Sequence, residues 1–259
     1  MMQLAKIIGA LALNTFREAI RNRVLHGIIL VAFGLVIGSV LVGQLSLEND
    51  DRVVRDLGLA FTSLVTVMVA IFSGVSLLHL EIERKTIYTI VTKPVPRWAF
   101  ILGKVAGLGL VLLAVEGLVA AVLVSIILIR GDDLTVIHFQ AMIMIWFEGL
   151  VVAAIATLFS SFSTPFLSGL LTFGVFILGR LREALYIYTK AMEVAIIPDV
   201  VQAFGVIVPD LSLHRADLQI AYLVPLSWSY VTYTCLYSVL YSAIVVLLAS
   251  AIFTRRDFV

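Results

Sequence analysis

Glu116 and Glu148 are the residues that most demand a chemical account. Each lies near the middle of a long apolar run. A charge at the centre of a bilayer costs at least about 2.5–3.5 kcal/mol on insertion scales, so such a group must face protein or water, or be protonated. A proton relay and contact with a cationic substrate both fit such carboxyls. A hydrogen bond between helices, made by a protonated or paired carboxyl, fits equally well. No Lys or Arg presents itself as a mid-run partner. Arg180 and Arg182 fall near the far end of their run, where snorkelling or pairing with Glu183 is expected.

The remaining reactive side chains predict little chemistry. His26, His79, His138 and His214 are scattered near run ends without ligand spacing, so no metal site is expected. Cys235 is the single cysteine and has no thiol with which to bridge. No phosphate-binding loop ending in Gly-Lys-Ser/Thr occurs; Gly103-Lys104 lacks the upstream glycine. Neither Gly-x-Ser-x-Gly nor His-Glu-x-x-His is present. The chain is thus expected to be no enzyme, with no catalytic residue and no cofactor of its own.

The elements that carry these residues follow from composition. Of 259 residues 61% are hydrophobic and 14% charged, against about 25% charged in soluble domains. Several apolar runs reach the roughly 20 residues a helix needs to cross a bilayer. The prediction is an all-α polytopic membrane protein forming a single transmembrane domain. Its six spans are placed at residues 24–45, 57–79, 100–129, 138–160, 166–185 and 228–253. Gly34 and Gly38 in the first span have a spacing that permits close helix approach. The segment 186–227 is broken by Pro198, Pro209 and Pro225, so it reads as short interfacial or re-entrant helices that need protein cover. Trp228, Tyr230 and Tyr233 form an expected aromatic belt. Net charge is +1 without a basic block, which argues against nucleic acid. No cleavable leader is expected, because the first apolar run follows a charged segment and lacks a small-residue cleavage pattern.

Two polar segments lie outside the spans. Residues 1–23 read as an amphipathic helix in the headgroup layer, with Leu4, Ile7, Ile8, Leu11, Thr15 and Ala19 on one side and Lys6, Asn14, Arg17, Arg21 and Arg23 off it. A helix packed on the protein is the alternative. Residues 81–98 are too polar for lipid and rich in helix formers up to Val91, where Pro94 and Pro96 then stop the helix. A short charged helix pinned between two spans is a handle that a soluble partner can grip. Placing the N-terminus inside puts most of the 18 Lys and Arg, and this handle, in the cytoplasm, with the C-terminus there too.

The run from Gly74 to Tyr88, with Glu81, Glu83, Arg84-Lys85-Thr86, Ile87 and Tyr88, followed by Lys93-Pro94-Val95-Pro96-Arg97 and Gly103-Lys104, resembles the membrane subunits of type-2 ABC transporters. Phe16-Arg17-Glu18-Ala19-Ile20-Arg21-Asn22-Arg23 is similar to the family's connecting helix, and Phe253-Thr254-Arg255-Arg256-Asp257 to its usual end. Within the family, the branch named for multicopper-enzyme maturation and gliding motility looks closest. The resemblance implies a permease subunit of an ATP-driven exporter in a bacterial inner membrane. Two membrane subunits, most simply identical, would work with two copies of an ATP-binding subunit that holds ATP and Mg. Residues 81–98 would be the coupling helix, with Glu81, Glu83, Arg84, Lys85, Thr86, Ile87, Tyr88, Lys93, Pro94 and Arg97 facing the ATPase. Arg17, Glu18, Arg21 and Arg23 would sit on the interfacial helix, and 186–227 would form an extracytoplasmic re-entrant hairpin.

Two other readings compete with the exporter. One is ATP-driven mechanotransmission to a periplasmic envelope partner through 186–227. The other is a proton-coupled secondary transporter using Glu116 and Glu148, against which the absence of an inverted repeat weighs. Substrates compatible with so apolar a chain range from lipids to amphipathic drugs and peptides.

Overall fold

Runs of Leu, Val, Ile and Ala without an interior proline leave the backbone no cheaper way to satisfy its polar groups in lipid than the helix. The computed structural model of the chain describes residues 2–46, 50–83, 96–191, 205, 207–216, 219–220 and 222–255. Among these, α1 spans Met2–Ile20, α2 Arg23–Gly43, α3 Asp50–Glu83, α4 Arg97–Ile129, α5 Val136–Ser160, α6 Pro165–Ala191 and α7 Trp228–Arg255, with a 3-10 turn at Ser212–His214. No strand occurs among the described residues. Six helices are long and apolar enough to cross a membrane: Arg23–Gly43, Asp50–Ser76, Trp98–Ile129, Val136–Ser160, Pro165–Leu185 and Trp228–Phe253. The all-α, six-span expectation therefore holds.

The largest difference from the predicted spans is in α3, which begins seven residues before 57, at Asp50. The charged residues there are paired: Arg55 with Asp132, and Arg130 with Asp50 and Asp51. These contacts tie the start of α3 to the α4–α5 connection at one end of the bundle.

α5 is the central element. Its stretch Val151-Val152-Ala153-Ala154-Ile155-Ala156 is buried on every side. α3 lies against it so closely that a Cβ on Gly74 would come within 2.6 Å of the Ala156 Cβ. Small side chains replace bulk here because helix association in lipid depends on close van der Waals packing. By contrast, a Cβ on Gly34 or Gly38 of α2 would meet nothing within 4 Å among the described residues.

The prolines of 186–227 do not end α6 at 185; it continues to Ala191. The part of the segment described beyond it climbs along α7. Tyr241 donates its hydroxyl to Ile207 O (2.9 Å), Tyr237 accepts from Asp210 N (2.8 Å), and Tyr230 donates to Leu213 O (2.8 Å). Tyr241 lies about 20 Å along α7 from Trp228 at the usual helical rise. Non-helical backbone at that depth needs protein cover, and the tyrosines supply its hydrogen bonds. Tyr230 is thus tied into this contact, whereas Trp228 and Tyr233 are exposed as a belt requires. Gln140 clamps the chain just before α7, donating to Leu226 O and accepting from Leu226 N, both at 2.9 Å.

Candidate functional site

Two regions contain the predicted functional residues. The first is the end of the bundle where α3 finishes and α4 begins. Nothing between Ser76 and Glu83 breaks a helix, so α3 runs on about 10 Å past its apolar span. Glu81 and Glu83 are therefore the last turn of α3, a correction to the separate helix expected from residue 81. Arg84, Lys85, Thr86, Ile87, Tyr88, Lys93 and Pro94 lie outside the described residues. Pro96 caps α4 in extended conformation (φ −63°, ψ 135°), and Arg97 is the first residue of that helix. The missing N–H of Pro96 costs no helical hydrogen bond there, because it lies before the first turn.

α1 is fastened to the first turns of α4. A Cβ on Gly107 would lie 2.6 Å from Ala12 O, and one on Gly103 2.8 Å from the Leu11 Cβ. The expected apolar stripe of α1 does exist, and it faces protein. Ala12 and Thr15 are buried, while Arg17, Glu18, Arg21 and Arg23 are exposed. The alternative of a helix packed on the protein is thus the one the structure realises for that face. Lys104 is covered: it is 2% exposed, with Nζ 4.0 Å from Glu18 Oε2. It borders a cavity of about 300 Å³ that Asn22, Ser73 and Ser76 also line.

The second region lies at mid-span. Ser63 of α3 donates to Glu148 Oε2 of α5 (2.9 Å) and accepts from Arg180 Nη1 of α6 (3.1 Å). The same Nη1 stands 3.8 Å from Glu148 Oε1. Arg180 is thus the mid-span partner that seemed absent from the sequence; it reaches inward from α6 instead of snorkelling outward. Arg182 turns the other way, 3.9 Å from Asp210. Glu116, on α4, is 4% exposed, and its Oε2 has no hydrogen-bond partner among the described residues. The structure therefore builds one of the two carboxylates into a serine–arginine cluster, whereas the other, near enough to feel the charge of Glu148, has an Oε2 that no described residue serves.

A cavity of about 700 Å³ opens beside this cluster, between α3, α5, α6 and the segment around Ala216. His214 borders it, with Nε2 2.7 Å from Ser238 Oγ. Burial lowers the His214 pKa to about 4, so the ring is neutral. Sequence reasoning missed Ser63, Gln140, Tyr237 and Tyr241. The spacing of Tyr230, Tyr237 and Tyr241 along one helix face was a usable signal; a lone Ser or Gln carries none.

Among the described residues no group of His, Cys, Asp and Glu could hold a metal ion. In comparison with known protein families, the model described as ABC-2 type transporter matches residues 3–180. That match runs from α1 to the guanidinium of the mid-span cluster. No curated protein matches the chain.

Proposed function

The chain belongs to the ABC-2 type transporter family, and from that premise we propose that it is the membrane half of an ATP-driven exporter, paired with a second membrane subunit and two ATPase subunits. Membership makes it a multi-pass permease subunit of an ABC transporter, and such subunits usually pair with an ATP-binding subunit. Direction of transport, an identical membrane partner, a bacterial inner membrane and cytoplasmic termini are parts of the proposal. The finer placing in the multicopper-maturation and gliding-motility branch rests on the quoted motifs alone.

The observation that carries the reading is the junction of α1, α3 and α4. α3 projects beyond its span to Glu83, α4 starts at Arg97, and α1 is packed onto the first turns of α4. A soluble subunit pressing on the connection 84–96 moves two spans and α1 together, because packed helices transmit displacement as rigid bodies. In this reading Glu81, Glu83, Arg84, Lys85, Thr86, Ile87, Tyr88, Lys93, Pro94 and Arg97 meet the ATPase, which holds ATP and Mg.

A second reading has its own support. Residues 207–213 hang on α7 through three tyrosine hydroxyls, so motion of α7 is delivered to the far side, where an envelope partner could receive it without transport. Co-expression with the ATP-binding subunit tests both. The exporter reading expects a two-to-two complex whose ATP hydrolysis is uncoupled from transport by replacing Glu83 and Arg84 together. ATP-dependent motion with no flux of any amphiphile favours mechanotransmission. A stable oligomer that binds no ATPase defeats both.

A further inference from the structure

We infer that the 700 Å³ cavity beside Arg180 is a binding site for an amphiphile whose anionic head, a phosphate or a carboxylate, is held by the Arg180 guanidinium. The inference deepens the exporter reading, and rests on it, by naming a substrate class. The volume falls within the range of about 300–1,000 Å³ typical of small-molecule sites. Its lining is divided in the way an amphiphile requires. Ser63, Glu148 and Arg180 form a polar patch at mid-span, and Leu59, Leu64, Phe176, Ile177, Leu181 and Ile220 supply apolar wall.

Hydrogen-bond capacity decides the sign of the head. Guanidinium has five N–H donors in a planar fork. Nη1 donates to Ser63; Glu148 Oε1, at 3.8 Å, is beyond hydrogen-bond range, and the Phe176 ring flanks the group at 5.6 Å. Among the described residues, Nε and Nη2 donate to nothing in the protein. Side by side they match two oxygens of a phosphate or carboxylate. Glu148 faces Arg180 and accepts a hydrogen bond from Ser63 through Oε2. Arg215 and Asp56 stand together at the rim, Asp56 3.9 Å from Arg52. Apolar walls keep these interactions weakly screened.

The test uses the purified full chain in a neutral maltoside detergent, with dodecyl phosphate as probe and native mass spectrometry as readout. One saturable dodecyl phosphate per chain is expected, with no competition from dodecyltrimethylammonium. Arg180→Gln should weaken binding by about tenfold or more, as the loss of charged hydrogen bonds implies. Because that change also disturbs Glu148, the paired variant R180Q/E148Q and the wall variant Leu64→Trp, which fills the cavity and leaves the ion pair intact, should weaken it too. Equal binding by all three variants and the native chain, or equal binding of the ammonium amphiphile, overturns the site. Phosphatidylglycerol that co-purifies and is displaced by the probe identifies a membrane lipid as the occupant. Stimulation of the complex's ATPase by the probe identifies cargo. A chain that binds the probe but couples to no ATPase overturns the exporter reading and the substrate class with it, while the anion site stands.

Discussion

Glu116 and Glu148 are the same residue type, both buried and both near mid-span, yet they occupy opposite situations. Glu148 faces a serine on α3 and a guanidinium on α6. Glu116 is enclosed on α4 with an oxygen that no described residue serves. A buried charge is sustained by its partners, and removing one partner leaves the other uncompensated. Depth alone therefore says nothing about how a buried acid is used. One carboxyl is a cross-link among three helices; the other lies within reach of the first one's charge but has an oxygen that no described residue serves.

That contrast can be broken by measurement, most severely at Glu148. Breaking a buried pair costs about 3–5 kcal/mol. Arg180 is 25% exposed, so Glu148→Leu should sit near the lower bound, about 3 kcal/mol. Thermal unfolding in detergent would register it, and Glu148→Gln, which still accepts from Ser63, should lose less. The next effect lies higher on α5. Gln140→Leu strands both backbone groups of Leu226, a loss of about 2 kcal/mol, since each stranded polar group costs roughly 1–3. Proteolysis between α6 and α7 should speed up with it.

A smaller effect comes from pH. The folded-state pKa of His214 is about 4, below the ordinary value of 6.5. The unfolded chain therefore binds the extra proton first as pH falls. The stability contributed by the neutral ring is complete above pH 6.5 and is lost progressively between there and 4, with a loss under about 1 kcal/mol at pH 6. His214→Asn should flatten that slope in a pH series of melting temperatures. The smallest change is expected at Glu116. Glu116→Leu removes a carboxyl without a partner for Oε2, so stability should stay within about 1 kcal/mol or rise, because apolar replacement of poorly satisfied polar groups is often neutral or favourable. A loss matching that of Glu148→Leu would erase the contrast and show that Glu116 has a partner outside the described residues.

The helices were legible because hydropathy and proline report on the chain segment that carries them. Five of the six spans fall within two residues of their predicted limits at each end. The second does not, because Arg52, Arg55 and Asp56 look too polar until Asp132 is seen to pair with Arg55. The stripe on α1 was readable as a stripe, but its partner was not: Gly103 and Gly107, distant in sequence, let α4 take the place expected for lipid.

By itself the sequence determined an all-helical, six-span chain, a polar stretch between the second and third spans and two acids at mid-span. All of these depend on residue type and on position along one segment. The tertiary structure alone decided that Glu148 meets Arg180 and Glu116 does not, that Lys104 is covered by α1, and that tyrosines of α7 carry the climbing segment. Each of these depends on the axial and rotational register between helices far apart in sequence. Packing sets that register, and no periodicity within a single helix records it.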